Sequence, residues 1–341
     1  MTETVEIGQV GLGAWGRNLL RNFSNFNHCR VRLACDSDDA QCARISEMFR
    51  GLPLTTRYND LLNDNKIKAV VIATPPAEHY QMAAQALEAG KDVFIEKPLV
   101  LDIDDGKRLV ALAKQKNRIL MVGHIMEYHP VSLLLKKYVE EGVLGEVYYL
   151  YATRINLGKV RNIENSLWSF APHDISLIMF LIDKFPVRVT ATGAAYLQKS
   201  IEDVCFLTMH FDDKTMAHVH VSWLDPHKER KLTIVGSKKM VVFDDTRVSE
   251  KVWLFDKGVE SKLDYSTYGE YLSLRVGDIT LPHVPSGEPL RLECRHFLEC
   301  VQTRNRPRSD GDDGLKVLAV LHAAQKSLEQ GGTPVEVTKI K

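Results

Sequence analysis

Gly11, Gly13 and Gly16 fall in the pattern G-x-G-x-x-G directly after the apolar run VEIGQV, and Asp36 closes a second apolar run 20 residues beyond Gly16. Each of these residues has a separate task in holding a dinucleotide. Gly11 permits the tight turn, Gly13 lets the backbone approach a pyrophosphate, and Gly16 lets the following helix pack closely on its strand. The phosphates then rest on the helix N-terminus, where unpaired N–H groups and the helix dipole favour anions. Asp36 can accept both hydroxyls of an adenosine ribose and repels a 2′-phosphate. Ser37 and Asp38 follow it with no Lys or Arg alongside, so NAD is favoured over NADP, and Arg44, one or two helical turns later, is the residue that keeps NADP open. The six cysteines are scattered, without a C-x-x-C pair or zinc spacing, and no metal site is expected. They read as reduced thiols of a cytoplasmic protein.

The elements that must position these groups alternate. Strands are expected at Val5–Val10, Val31–Cys35, Lys68–Thr74, Asp92–Glu96 and Arg118–Gly123, with helices after the glycine turn and over Ala77–Ala89 and Ile103–Gln115. Such alternation predicts an α/β, doubly wound parallel sheet of Rossmann type over residues 1–123. Residues 124–341 change to long strand patterns, including VCFLTMHF, AHVHVSW and RKLTIVG, which predict an α+β domain with a large, mainly antiparallel open sheet and C-terminal helices. A chain of 341 residues fits two domains at about 150 residues each. Lys plus Arg and Asp plus Glu both number 44, so no net charge draws the chain to nucleic acid or an anionic membrane. The start MTETVEIGQVG lacks the character of a signal peptide, and the apolar stretch Ile175–Ile182 is far short of the roughly 20 residues that span a bilayer.

VVIATPP followed by FIEKPL, with Glu96, Lys97 and Pro98 in sequence, resembles the glucose-fructose oxidoreductase, inositol dehydrogenase and MocA family. MVGHIMEYHP, LWSFAPHDIS and SWLDPHKERKLTIVGSKKMVVFDD extend the likeness over essentially the whole chain. The resemblance implies that Lys97 lies beside the nicotinamide, hydrogen-bonds the reacting hydroxyl and shares in proton transfer. It implies cofactor contacts from Ala14, Trp15, Ala73, Thr74, Pro75, His79, Glu96, Lys97 and Trp168, and a substrate contact from Tyr128. LWSFAPHDISLIMFLI is expected as a linking helix with Pro172 near its start and His173 and Asp174 in its first turn. The family assigns His173 as the partner of Lys97 in catalysis, while Asp174 orients it or caps the helix. A neutral imidazole suits the removal of a hydroxyl proton. Many relatives carry an acid four positions before this histidine, where this chain has Ser169.

The stretch TRINLGKVRNIENSLW concentrates Arg154, Asn156, Lys159, Arg161, Asn162 and Asn165 ahead of that helix. Arg forks match phosphate and amides match sugar hydroxyls, so these residues point to a phosphorylated, hydroxyl-rich substrate. Within the family the combination looks most like nucleotide-sugar oxidoreductases acting at C3 of a UDP-N-acetylhexosamine such as UDP-N-acetylglucosamine. The expected reaction is NAD-dependent oxidation of a secondary hydroxyl to a 3-keto sugar, ready for an aminotransferase. The alternatives are a 3-ketoreductase using NAD(P)H, an NAD-retaining glycosidase or epimerase, and an NAD-binding sugar sensor. The resemblance also implies a homo-oligomer, dimer or tetramer, formed through a sheet face of the second domain. Gly258–Pro289 has little periodicity and is expected as an interface arm or a lid.

Overall fold

The computed structural model describes residues 4–158, 160–261 and 272–340. The chain divides into two compact units. The first holds β1 (Val5–Val10), α1 (Ala14–Ser24), β2 (Cys29–Cys35), α2 (Asp39–Met48), β3 (Leu54–Thr55), α3 (Tyr58–Asn63), β4 (Ala69–Ile72), α4 (Pro76–Glu88), β5 (Asp92–Glu96), α5 (Ile103–Gln115) and β6 (Leu120–Gly123). The second holds α6 (Pro130–Glu140), β7 (Val147–Ile155), α7 (Ser166–Ile182), β8 (Arg188–Ala194), β9 (Val204–His210), β10 (Met216–Ser222), β11 (Glu229–Gly236), β12 (Met240–Asp244), β13 (Val252–Ser261) and β14 (Leu272–Thr280). Then come α8 (Pro289–Thr303), α9 (Gly311–Glu329) and β15 (Val335–Glu336). No helix among the described residues is long and apolar enough to cross a membrane.

In the first unit six parallel strands take the order β3-β2-β1-β4-β5-β6, the doubly wound arrangement expected from the alternation. Strands covered on both faces must be apolar throughout, and β4 with its AVVI is buried at every position. Helix α1 buries Gly16, Leu19, Leu20 and Phe23, one stripe at helical spacing. Asp102 caps α5 by accepting from the Asp104 and Asp105 N–H groups at 2.9 and 3.0 Å. Residues Gly287–Leu318 belong to this unit. Helix α8, which falls after residue 124, therefore packs with the Rossmann elements. Its Phe297 meets Phe23 of α1 and Phe94 of β5 edge-on, at ring centroid separations of 6.3 and 5.6 Å. An amphipathic helix goes where its apolar stripe is covered, whatever its place in the chain.

The second unit is built on nine strands in the order β14-β13-β12-β11-β7-β10-β9-β8-β15. Its pairs are antiparallel except β7 with β10. Helix α7 packs on β7, β9 and β10, where Leu150, Ala152, Leu207, Val219 and Val221 are buried. Tyr149, Tyr151, Phe206 and Met216 alternate to the other face and stay exposed. The expected arm over Gly258–Pro289 is in part regular structure, because β13 and β14 pair as an antiparallel hairpin at the sheet edge. Leu274 and Val276 there are exposed, so backbone hydrogen bonding rather than a buried stripe defines the element, and no apolar period marks it. Residues 262–271 of that stretch lie outside the described residues.

Candidate functional site

The glycine turn of the first unit has the geometry its sequence implies. Gly11 has φ +87°, and a Cβ there would meet the Ala73 backbone at 2.5 Å, so this position both turns the chain and lets it pass the end of β4. A Cβ on Gly16 would lie 2.0 Å from the Gly11 carbonyl oxygen. Gly13 is different, for a Cβ there would meet nothing within 4 Å. It is the N-cap of α1 and offers no side-chain cap, so the first-turn N–H groups, those of Ala14 and Trp15 among them, remain available to an anion. Asp36 accepts from the Leu12 N–H at 2.8 Å and from the Asp38 N–H at 3.0 Å, which fixes its carboxylate while leaving lone pairs for ribose hydroxyls. Arg44 leans on Gln41. These residues fit NAD.

At the C-terminal ends of β4, β5 and β6, where doubly wound sheets bind their ligands, the unit gathers its reactive side chains. Lys97 follows β5 and is half-buried. Glu96 before it accepts the Trp15 indole N–H at 2.5 Å. Burial lifts the Glu96 carboxyl to about 7 against the opposing pull of Trp15 and Lys97. Ala73, Thr74 and Pro75 lie just past β4. His79 is fully buried, with Nδ1 2.8 Å from the Pro98 carbonyl and Nε2 3.0 Å from the Thr74 carbonyl. Burial lowers the His79 pKa, and the ring sits between the carbonyls that follow β5 and β4, bridging the two strand ends. Tyr128, expected at the substrate, is a core residue at 2% exposure. Its hydroxyl lies 2.9 Å from that of Ser309 and its ring lies under the Arg308 guanidinium.

In the second unit Asn165 caps α7 by accepting the Trp168 N–H at 3.1 Å, and the helix therefore starts at Ser166. His173 is its eighth residue, with Pro172 inside the helix, not in the first turn as the proline suggested. Asn165 also donates to Glu202 and Gln325 at 2.6 and 3.0 Å, so both N–H donors of its amide are held by the protein. Trp168 likewise gives its indole N–H to Gln325 at 3.1 Å and packs edge-on to His322.

Arg154 is not a loop residue. It lies in β7, 8% exposed, and holds Asp174 bidentately, Nε to Oδ2 at 2.7 Å and Nη2 to Oδ1 at 2.9 Å. Burial works against the guanidinium charge, but the Asp174 carboxylate more than offsets it and holds Arg154 above the usual arginine value. Asp174, in the helix interior and committed to Arg154, is no cap; it ties α7 to β7 beside the half-buried His173. Ser169 is buried on the same helix. Of the loop residues, Asn156 is half-buried and Arg161 and Asn162 are exposed, with Arg161 loosely paired to Glu164 at 3.8 Å. Lys159 lies outside the described residues.

Three further groups escaped the sequence reading. His124, after β6, is buried, and burial together with the nearby Lys97 charge pushes it down to about 3, so it is neutral. Glu293 of α8 is fully buried with no hydrogen-bond partner for either oxygen among the described residues. Burial, helped by Glu96, holds it protonated well above the usual carboxylate range. A glutamate on the apolar stripe Leu290, Cys294, Phe297 was the available signal. The third group is Arg230 of β11, directly across from Arg154. Among the described residues no group of three or more His, Cys, Asp or Glu side chains is placed to hold a metal ion.

Residues 5–124 match the oxidoreductase family with an NAD-binding Rossmann fold, GFO/IDH/MocA, and residues 132–242 match the C-terminal domain of the same family. The chain is 26% identical over 256 residues to the 2,7-anhydro-N-acetylneuraminate hydratase of Mediterraneibacter gnavus, covering 71% of this chain and 68% of that protein. It is 29% identical over 180 residues to the UDP-N-acetylglucosamine 3-dehydrogenase of Acidithiobacillus ferrooxidans, covering 52% of this chain and 56% of that one. The solved structure of that dehydrogenase shares the fold with a TM-score of 0.80 at 22% identity, over 96% of this chain and 99% of its own. The chain belongs to the Gfo/Idh/MocA oxidoreductase family, and its cofactor is the NAD that the family's Rossmann domain binds.

Proposed function

We propose that the protein oxidises a secondary hydroxyl, at C3, of a nucleotide sugar of the UDP-N-acetylhexosamine class to the corresponding ketone. The observation that carries this reading is the placement of a half-buried Lys97 at the end of β5, in the unit with the glycine turn, together with a half-buried His173 on α7 beside a carboxylate that Arg154 neutralises. NAD, when bound, supplies the hydride acceptor for the C–H bond that breaks. His173 takes the hydroxyl proton, and Lys97 hydrogen-bonds the oxygen and shares in the transfer. Asp174 has both oxygens on Arg154, and Ser169 stands four positions before His173. The ketone product fits consumption by an aminotransferase.

The resemblance to the C3 dehydrogenase supports the substrate class. Residues 1–123 serve the cofactor in this reading, and residues 124–341 serve the substrate and self-association. The exposed Tyr149, Tyr151, Phe206 and Met216 face supports a homo-oligomer, and six free cysteines support the cytoplasm.

Incubation with NAD and a panel of UDP- and TDP-sugars, followed by NADH absorbance and product mass, tests the reading. Loss of two hydrogens from a UDP-N-acetylhexosamine is expected. Lys97→Ala and His173→Ala each lower kcat about 10²–10⁴-fold with NAD affinity retained; full activity in either removes that residue from the chemistry. A second reading, in which hydride leaves and returns, is favoured by the hydratase relative and predicts converted sugar without net NADH.

A further inference from the structure

We propose that Arg230 binds the anionic group of the sugar substrate, a phosphate or carboxylate oxyanion, on the face of the second sheet that carries α7. The proposal rests on the functional reading above and supplies the recognition group that Arg154 does not.

Strands β7 and β11 run antiparallel with Arg154 directly opposite Arg230. Side chains so paired stand on one face with their Cβ atoms about 5 Å apart, where like charges repel. On β11 the same face carries Leu232 and Ile234, both buried, and on β7 it carries Leu150 and Ala152. This is the face against which α7 packs, since Asp174 reaches Arg154 there. The two arginines differ in what they hold. Arg154 gives Nε and one Nη2 hydrogen to Asp174 and forms a neutral, buried pair with it. Arg230 has one ion-pair contact among the described residues, to Asp245 at 3.9 Å. Asp245 is already engaged by the Lys251 ammonium at 3.0 Å. Three cations thus face two carboxylates, and the surplus charge rests on a guanidinium 46% exposed at its side chain.

Desolvation, and then the charge of Arg154, hold the Arg230 pKa below the usual arginine value. A guanidinium offers five N–H donors in a fork that matches a phosphate or carboxylate edge. His173 precedes Asp174 on α7. The oxyanion site and the proton acceptor belong to one unit.

The test titrates the full chain, saturated with NAD so that the phosphate site of the glycine turn is filled, with UDP and separately with N-acetylneuraminate, by calorimetry. Wild type is expected to bind one of the two anions, and Arg230→Gln to weaken that binding at least about tenfold, the effect of roughly 1.4 kcal/mol. NAD affinity stays unchanged and Tm is not lowered. Arg230→Lys restores part of the affinity, because it keeps the charge without the fork. Loss confined to UDP assigns phosphate, and loss confined to N-acetylneuraminate assigns a carboxylate. Unchanged binding of both in Arg230→Gln, or binding of neither by wild type, overturns the proposal. Turnover separates this outcome from the dehydrogenase reading. An anion site lost in Arg230→Gln without NADH from any sugar leaves the proposal standing and removes that reading; NADH formed with equal KM by both proteins does the reverse.

Discussion

The glycine turn of the first unit and the β7–α7 region of the second are both rich in residues that suit a ligand, yet they use them differently. In the turn, Gly13 has open space around it and Gly11 and Gly16 have none, and no side chain competes for the helix N-terminus. In the second region the polar groups satisfy one another. Arg154 takes Asp174, and Asn165 takes the Trp168 N–H, Glu202 and Gln325. Arg230, across the sheet from Arg154, has only a long contact to Asp245 among the described residues. A suitable residue type thus marks a ligand contact only after its protein partners are counted, because a buried polar group binds whichever partner reaches it first.

The sharpest way to break this contrast is to remove one member of the Arg154–Asp174 pair. Arg154→Met or Asp174→Leu alone leaves an uncompensated buried charge and costs about 3–5 kcal/mol, seen as a lowered denaturant midpoint. The double variant recovers most of that loss, and single variants of wild-type stability would show that the pair is not the internal partner described. A smaller effect sharpens the other side. Gly16→Ala sets a Cβ against the Gly11 carbonyl and costs about 1–3 kcal/mol of stability. Gly13→Ala leaves the midpoint unchanged and raises the Kd for NAD. Loss of stability in Gly13→Ala would mean that the open space is structural.

The smallest effect is a pH slope. The folded Glu96 pKa, about 7, lies above its ordinary value, so the native state binds more protons and its stabilising effect is lost as pH rises through 7. His124 has the opposite sign, its effect being lost as pH falls below its ordinary value toward 3, and it adds little above pH 6.5. Between pH 6.5 and 8 the melting temperature is expected to fall with pH in wild type and to fall less in Glu96→Gln. Equal slopes would remove Glu96 as the titrating group.

The amino-acid sequence by itself determined the doubly wound sheet, the glycine turn with Asp36, the position of Lys97 at a strand end and the mainly antiparallel second sheet. Each depends on residues within one or two neighbouring elements, so the period of apolar residues and the spacing of glycines carry the information. The tertiary structure alone decided that α8 joins the first unit through Phe23 and Phe94, and that Tyr128 meets Ser309 in a core. It decided too that His79 braces two strand ends, and that Arg154 meets Asp174 while Arg230 is left with a long contact. These outcomes depend on which side chains the folded chain brings within hydrogen-bonding distance across many residues of sequence. A charge or amide is available to a ligand only where that packing has left its donors unspent.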